Sequence, residues 1–465
     1  MPQYERTQEL PASADEAFAW HARPGAFARL APPWQPLRLL EAANSIDEGE
    51  RLVLQLRRGP LRLRWVAEHG PVEPGRSFED RQLAGPFRSW CHRHLFEPIT
   101  DSRSLLRDRI EYEIPGGKLG ELIAGGSIRK DIERTFAYRH RTTVDDLTQH
   151  ARFRDRPRLS VAISGAGGLV GSALCALLST GGHRVVRLVR TSEPQLGCAR
   201  WNPEEGLIDP EALEGVDAVV HLAGENIANR RWSRRRKDLL YSSRVDATRR
   251  LVASLGRLEE PPRLFVGASA IGFYGDRGNT GLDETSRSGS GFLAGLCRDW
   301  EQVTVDAGRF AERTVMARFG VILSPAGGAL AKMLPAFRLG AGGPLGSGRQ
   351  MMSWISLDDA IGAILYLLMT PSLAGPVNLT APEPVSQRQF ARTLGRVLRR
   401  PAWAPLPRPA TRLAFGEMAD EMLLASARVL PQRLLGGGYW FRHRELEPAL
   451  AHLLGAETGP DAEPE

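Results

Sequence analysis

The chain of 465 residues is short of lysine and cysteine and has no long apolar run. Each shortage excludes something. Lysine occurs only at Lys118, Lys130, Lys237 and Lys332; the other 57 of the 61 basic residues are arginine. The formal charge of +7 therefore reflects an arginine habit, in a chain that also carries 48 Gly and 33 Pro. The densest basic run, Arg230-Arg231-Trp232-Ser233-Arg234-Arg235-Arg236-Lys237, reads as a solvated helix face or as a contact for lipid, RNA or cofactor phosphates, and with the arginine habit no specific nucleic-acid partner is expected. The four cysteines, Cys91, Cys175, Cys198 and Cys297, lie far apart and form no CxxC, which removes the zinc and redox signatures. Reduced thiols in a cytoplasmic protein, and no metal, are the expectation. The N-terminus has no basic start leading into an apolar stretch, so it does not read as a secretory leader. The longest apolar stretch, near Ala360–Met369, is too short for a transmembrane segment. What is present, 42% hydrophobic and 25% charged residues, is ordinary for a globular chain of about two to four domains.

Residues 1–150 alternate strand-like and turn-like stretches. Arg51–Leu56 and Leu61–Ala67 read as a hairpin around Arg58-Gly59-Pro60. Further strands are expected at Ser77–Leu83, Ser89–Phe96 and Ser104–Ile114, then a helix from about Leu119 to His150. That is an α+β domain, a curved antiparallel sheet followed by one long helix. Residues 151–158 are polar and read as a linker. From Leu159 the pattern changes to βαβ alternation, with strands expected at Leu159–Ile163, Arg184–Leu188, Ala218–Leu222, Leu264–Gly267 and Val315–Phe319. This alternation predicts an α/β, Rossmann-like, doubly wound parallel sheet over residues 159–400. Residues 401–455 form a small, Pro-rich helical extension, and the acidic tail 456–465 reads as disordered.

Gly165, Gly168 and Gly171 form GxxGxxG directly after the first βαβ strand and ahead of a helix. Glycines there permit a tight turn and let backbone approach a pyrophosphate at the helix N-terminus. Leu169 and Val170 complete that loop. Leu222, Ala223 and Gly224 follow a later strand, where small residues let backbone approach the same cofactor. Arg190, at the end of the second strand, stands where an NAD-selective site would place an acid for the ribose. An arginine there favours NADP(H) over NAD(H) by pairing with the 2′-phosphate. A solvated arginine is the alternative.

Residues 159–455 resemble the atypical extended short-chain dehydrogenase/reductase group of NAD(P)-dependent, sugar-nucleotide-epimerase-like proteins. Besides the glycine loop, the matching strings include Trp201-Asn-Pro203, His221-Leu-Ala-Gly-Glu-Asn-Ile227 and Ser243-Arg-Val245. Ser269-Ala-Ile-Gly-Phe-Tyr-Gly275, Ala317-Arg-Phe-Gly320 and Gly342–Gln350 continue them. The stretch from Arg400-Pro401 to Phe441 resembles the group's short C-terminal domain, of the DUF1731 type. Residues 1–150 are similar to the polyketide cyclase/START-like (helix-grip) superfamily, through Pro11-Ala-Ser13, Ala17-Phe18, Trp20-His21 and Cys91-His92-Arg93. The second resemblance implies an apolar or lipid-like ligand; the first implies a small-molecule substrate and a homodimer.

The wider family works with Ser/Thr and Tyr-x-x-x-Lys, in which a lysine-assisted phenol moves the proton while hydride moves. Here Tyr-x-x-x-Lys is absent: Ile114, Gly126, Ser233 and Gly328 stand four residues before the four lysines. Phe292 and Leu296 occupy the Tyr and Lys places. The remaining candidate catalytic groups are Ser269, either a donor to a substrate oxygen or a turn serine, and Tyr274, either an acid or a pocket wall. Cys297 reads as an acid or an inert core thiol, and Glu301 as a base or an arginine's partner. Arg318 and Arg349 are candidate anion-binding residues for substrate, or solvated side chains. His221 reads as a packed strand residue. Asp358-Asp359 precede an apolar helix and read as N-terminal capping residues rather than a metal site, because no histidine or further carboxylate accompanies them. The chain therefore reads as an NADP(H)-dependent oxidoreductase or epimerase-like protein, or as a protein that senses NADP(H) without turnover.

Overall fold

The computed structural model describes residues 2–43, 45–59, 61–190 and 197–456. The chain forms two compact units, one built mainly on Met1–Pro157, the other on Arg158–Cys175 and His183–His452.

The first unit is a seven-stranded antiparallel sheet. Its strands are β1 (Gln3–Leu10), β2 (Leu37–Glu41), β3 (Arg51–Arg58), β4 (Leu61–Glu73), β5 (Ser77–Ala84), β6 (Ser89–Thr100) and β7 (Arg103–Glu113). They lie in the order β1-β7-β6-β5-β4-β3-β2. The expected hairpin is present: Arg58 pairs with Leu61 and Gly59 turns the chain with φ +60°. Three short or polar elements were not anticipated from sequence: β1, β2 and a helix α1 (Ala14–Ala22) capped by Ser13. β1 is hard to see because its outward positions are all polar, although every second residue faces in. A five-residue helix α2 (Ala26–Leu30) follows, and the long helix α3 (Gly117–Ala151) closes the unit. Leu10, Trp20, Phe78, Phe96, Leu106 and Leu147 form one core cluster beneath it. Arg29 of α2 makes a buried bidentate pair with Asp146 of α3, at 2.8 and 2.9 Å. This is the helix-grip arrangement.

The second unit carries the Rossmann-like sheet. Its first strands are β8 (Ser160–Ser164), β9 (Arg184–Val189), β10 (Cys198–Asn202), β11 (Leu207–Ile208), β12 (Ala218–His221) and β13 (Leu264–Ala270). The strands Arg313–Phe319 and Gly375–Leu379 complete it, in the order β11-β10-β9-β8-β12-β13, Arg313–Phe319, Gly375–Leu379. All neighbours are parallel except the edge pair β10 and β11. β10 and the last strand are too short and mixed in composition to have been read in advance. β8 and β12 are almost wholly buried, as strands covered on both faces must be. The glycine loop leads from β8 into the helix α4 (Leu169–Thr180). A helix from Phe292 to Asp306 packs on the sheet, and its first two amides are received by the Glu421 carboxylate, both at 2.9 Å. That carboxylate supplies the negative charge a helix N-terminus favours. Among the described residues no helix is long and apolar enough to cross a membrane.

Candidate functional site

Two constellations lie at the carboxyl ends of the parallel strands, where open α/β sheets place their ligands.

The first is the glycine cradle. Gly165 has φ +71°, and a Cβ there would lie 2.9 Å from both the Ala223 amide nitrogen and the Leu222 carbonyl carbon. At Gly171 it would lie 2.2 Å from the Gly165 carbonyl oxygen, and at Gly168 3.2 Å from the same atom. All these neighbours are backbone, so no side-chain shift makes room. The loop is held by Ser164, whose Oγ accepts the amides of Leu222 and Ala223 at 3.1 and 3.3 Å. It donates in turn to His221 Nδ1 at 2.6 Å. His221 Nε2 lies 2.9 Å from Thr248 Oγ1, which also receives Trp300 Nε1 at 2.9 Å. Burial alone pushes the His221 imidazole down to about 3, so it stays neutral and structural, as expected. Leu169 and Val170 open α4 half-buried, and Leu169 lies against Gly327. Gly224 faces Arg244, which donates to the Glu225 carbonyl at 2.9 Å from a π-helical turn, Ser242–Asp246. Arg190 is exposed at the end of β9. The cradle fits a dinucleotide pyrophosphate: the backbone is bared where a Cβ would stand, and α4 begins directly behind it.

The second constellation is a buried polar chain. Ser269 of β13 pairs in register with Arg318, and Arg318 with Asn378. Ser269 Oγ donates to Glu301 Oε1 at 2.6 Å. Arg318 grips the same carboxylate with both arms of its fork, Nε to Oε1 at 2.8 Å and Nη2 to Oε2 at 2.7 Å. Its Nη1 donates to the Tyr274 hydroxyl at 2.8 Å, and that hydroxyl donates to Asn378 Oδ1 at 2.7 Å. The guanidinium also lies 3.6 Å from the centre of the Phe273 ring. Burial opposes the Arg318 charge, yet the Glu301 carboxylate raises its pKa above the usual arginine value. Burial raises the Tyr274 phenol, only partly offset by Arg318. Cys297 is buried beside this chain and burial pushes its thiol up to about 11. Ser269, Tyr274, Cys297, Glu301, Arg318 and Asn378 are all buried.

Of the sequence candidates, Ser269, Tyr274, Glu301 and Arg318 thus form one hydrogen-bonded chain with Cys297 next to it. Arg318 is bound to Glu301 and Tyr274, so its fork is occupied by protein rather than presented to an anion. Arg349 is exposed in the 342–350 loop and does not join the group. Phe292 meets Trp232 at 5.2 Å and Lys237 at 5.3 Å, and Leu296 is buried. Sequence reasoning missed Ser164, Thr248, Asn378 and Glu421. Each is an isolated polar residue whose partner is distant in sequence. The reading of Asp358-Asp359 needs correcting. The cap is Ser356, which accepts the Asp359 amide at 3.0 Å, and His443 and His452 do accompany Asp358 in space.

The fold and cradle define an extended, nicotinamide-nucleotide-binding Rossmann protein, and comparison with known proteins agrees. The model of the NAD dependent epimerase/dehydratase family matches residues 161–379, that of polyketide cyclase / dehydrase and lipid transport residues 10–137, and DUF1731, a domain of unknown function, residues 406–453. An epimerase family protein of Mycobacterium bovis is 47% identical over 292 residues, 63% of this chain and 96% of that protein. The chain belongs to this epimerase family. A solved nucleoside-diphosphate sugar epimerase from Corynebacterium glutamicum is 34% identical with a TM-score of 0.80, over 98% of this chain and 91% of that one. The human epimerase family protein SDR39U1, solved with NADPH, is 34% identical with a TM-score of 0.58, over 64% of this chain and 99% of its own.

Proposed function

We propose that the second unit binds NADP(H) in preference to NAD(H), and that the protein is an oxidoreductase or epimerase-like enzyme acting on a small molecule. The observation that carries the reading is the cradle of Gly165, Gly168 and Gly171, held open by Ser164 against the backbone of Leu222–Ala223. In this reading the loop amides and the start of α4 receive the pyrophosphate, and Arg190 pairs with the 2′-phosphate. The human relative solved with NADPH supports that preference. A bound nicotinamide supplies hydride chemistry. The chain's own part is then to orient substrate against it and to handle the proton. Ser269 is the candidate for the substrate oxygen, and reaching it requires the hydroxyl to turn from Glu301. Glu301, Arg318 and Tyr274 act as positioning residues that fix the floor of the site. In the first unit, the polyketide-cyclase-type match supports reception of an apolar substrate moiety.

One observation favours a second reading, cofactor sensing without turnover: every candidate acid or base of the buried chain already has a protein partner. Titration with NADPH and NADH, followed by nicotinamide fluorescence, tests the binding step. Tighter NADPH binding is expected; equal or tighter NADH binding overturns the NADP(H) assignment. NADPH consumption across a panel of carbonyl compounds then separates the readings. Turnover removes the sensing reading, and binding without turnover on any of them removes the catalytic one.

A further inference from the structure

Six of the ten histidines lie in residues 1–157, two of them as His92-Arg93-His94, a spacing that puts both on one face of a strand. The sheet gathers three of them. His69 of β4 pairs in register with Asp80 of β5, Asp80 with His92 of β6, and His94 of β6 with Asp108 of β7. Direct cross-strand partners share one face of a sheet, and so do residues i and i+2. The register therefore stacks two carboxylates and three imidazoles on the inner face, and His140 reaches them from α3.

We propose that Asp80, His92 and His94 bind a divalent first-row transition ion inside the first unit. One ligand atom from each of the three lies within 4.8 Å of the others. Donors on one ion at about 2.0–2.2 Å stand at most about 4.4 Å apart, so small side-chain rotations close the set. Two histidines and one carboxylate are a donor set that suits such ions and leaves coordination positions open for a substrate oxygen.

The surroundings are those of a built metal site. Metal-bound imidazoles are ordinarily oriented by a carboxylate on their other nitrogen. His94 Nδ1 lies 2.7 Å from Asp108 Oδ1, while its Nε2 faces Asp80 Oδ2 at 3.5 Å. Asp108 also takes His92 Nε2 at 2.8 Å and His140 Nε2 at 2.5 Å. His69 Nδ1 lies 2.6 Å from Asp80 Oδ1, on the side of the carboxylate away from Oδ2. Phe78 stacks on His94 with ring centres 4.1 Å apart, giving the apolar outer wall. The Asp80 side chain is 26% exposed, so an ion has a way in. Arg139, the cation α3 brings nearby, directs its Nε to the Leu30 carbonyl. The Asp358, His443 and His452 group of the second unit is sealed by contrast, and serves as the control.

The test is a titration of the chelator-treated full chain with Co2+, followed by its visible absorption and by competition with Zn2+. One equivalent is expected to bind and to be displaced by Zn2+. Asp80→Asn and His94→Ala are expected to abolish that equivalent, Asp108→Asn to weaken it about 10–100-fold, and His443→Ala to leave it unchanged. No Co2+ uptake by the folded chain, or uptake lost in His443→Ala but retained in His94→Ala, overturns the proposal. X-ray absorption on the Zn2+-loaded natural chain needs no variant. A first coordination sphere of nitrogen and oxygen with imidazole scattering is expected, and one containing sulfur or oxygen alone overturns the assignment.

Discussion

The two units bury polar groups in opposite ways. In the first, carboxylates and imidazoles sit inside, on one face of an antiparallel sheet, and meet across strands. In the second, β8 and β12 are apolar through their buried length, and polar residues collect where strands end: Ser164, His221, Ser269, Arg318 and Asn378. A parallel sheet covered on both faces has no wet side, so chemistry is confined to its rim. An antiparallel sheet closed by one helix can carry chemistry within. The units therefore teach where to look in each: at strand ends in one, across strand registers in the other.

The comparison is broken most forcefully at the buried ion pairs. Arg318→Met leaves the Glu301 carboxylate buried and uncompensated, and urea unfolding is expected to show a loss of about 3–5 kcal/mol. Adding Glu301→Leu to that variant should recover most of it, because an apolar pair of similar volume needs no compensation. Asp146→Ala, which removes the bidentate carboxylate partner of Arg29 in the first unit, should lose a similar amount. A loss below about 1 kcal/mol for either single variant would mean that water reaches the remaining charge and that the interior of that unit is wet.

Next comes the cradle. Gly171→Ala puts a methyl 2.2 Å from the Gly165 carbonyl oxygen, and the loop must move. Overpacking of this kind costs about 1–3 kcal/mol, and NADPH binding should weaken with it. At Gly167 a Cβ meets nothing within 4 Å, so Gly167→Ala should keep its stability within about 0.5 kcal/mol. Unchanged NADPH affinity in Gly171→Ala would detach the loop from the cofactor. Arg190→Ala tests selectivity alone: the NADPH-to-NADH affinity ratio is expected to fall about tenfold, roughly 1.4 kcal/mol.

A third test uses protons. His221 titrates near the ordinary histidine value when unfolded, but burial holds it down to about 3 in the folded chain. Between those values the unfolded state binds the extra proton, so stability rises with pH across the window and is lost as pH falls from about 6.5 toward 3. The contribution of this one site is at most about 1.4 kcal/mol per pH unit. Urea unfolding at pH 7, 5.5 and 4.5, natural chain against His221→Gln, should show a shallower slope in the variant. Parallel slopes would mean that the Ser164–His221–Thr248 relay opens before it titrates.

Much of this was legible beforehand, for reasons that can be named. The Rossmann sheet and the glycine cradle announce themselves through local pattern, since GxxGxxG, its strand and its helix are contiguous. The hairpin around Gly59 and the long helix α3 are equally local. What escaped is built from long-range pairing. Asp80 meets His92, and His94 meets Asp108, only because β5, β6 and β7 pair in one particular register. Asn378 and Ser269 stand on two strands separated by a third, Arg313–Phe319. Glu301 reads equally as base or partner until the Arg318 fork is seen closed on it.

The smallest effect decides the most about function. Ser269 donates to Glu301 Oε1, an oxygen that Arg318 Nε also supplies, so Ser269→Ala removes one of two donors and leaves no charge unpaired. The stability loss should be about 1 kcal/mol, that of a single hydrogen bond. Ser269→Ala is therefore a clean probe of substrate contact, which Arg318→Met is not. Once a substrate is in hand, a role on the substrate oxygen predicts a fall in the catalytic rate far larger than the change in NADPH affinity. If turnover persists undiminished while NADPH binding is unchanged, Ser269 belongs to the floor with Glu301 and Arg318. The rim of the sheet would then serve to hold a cofactor in place, with the reacting groups supplied from elsewhere.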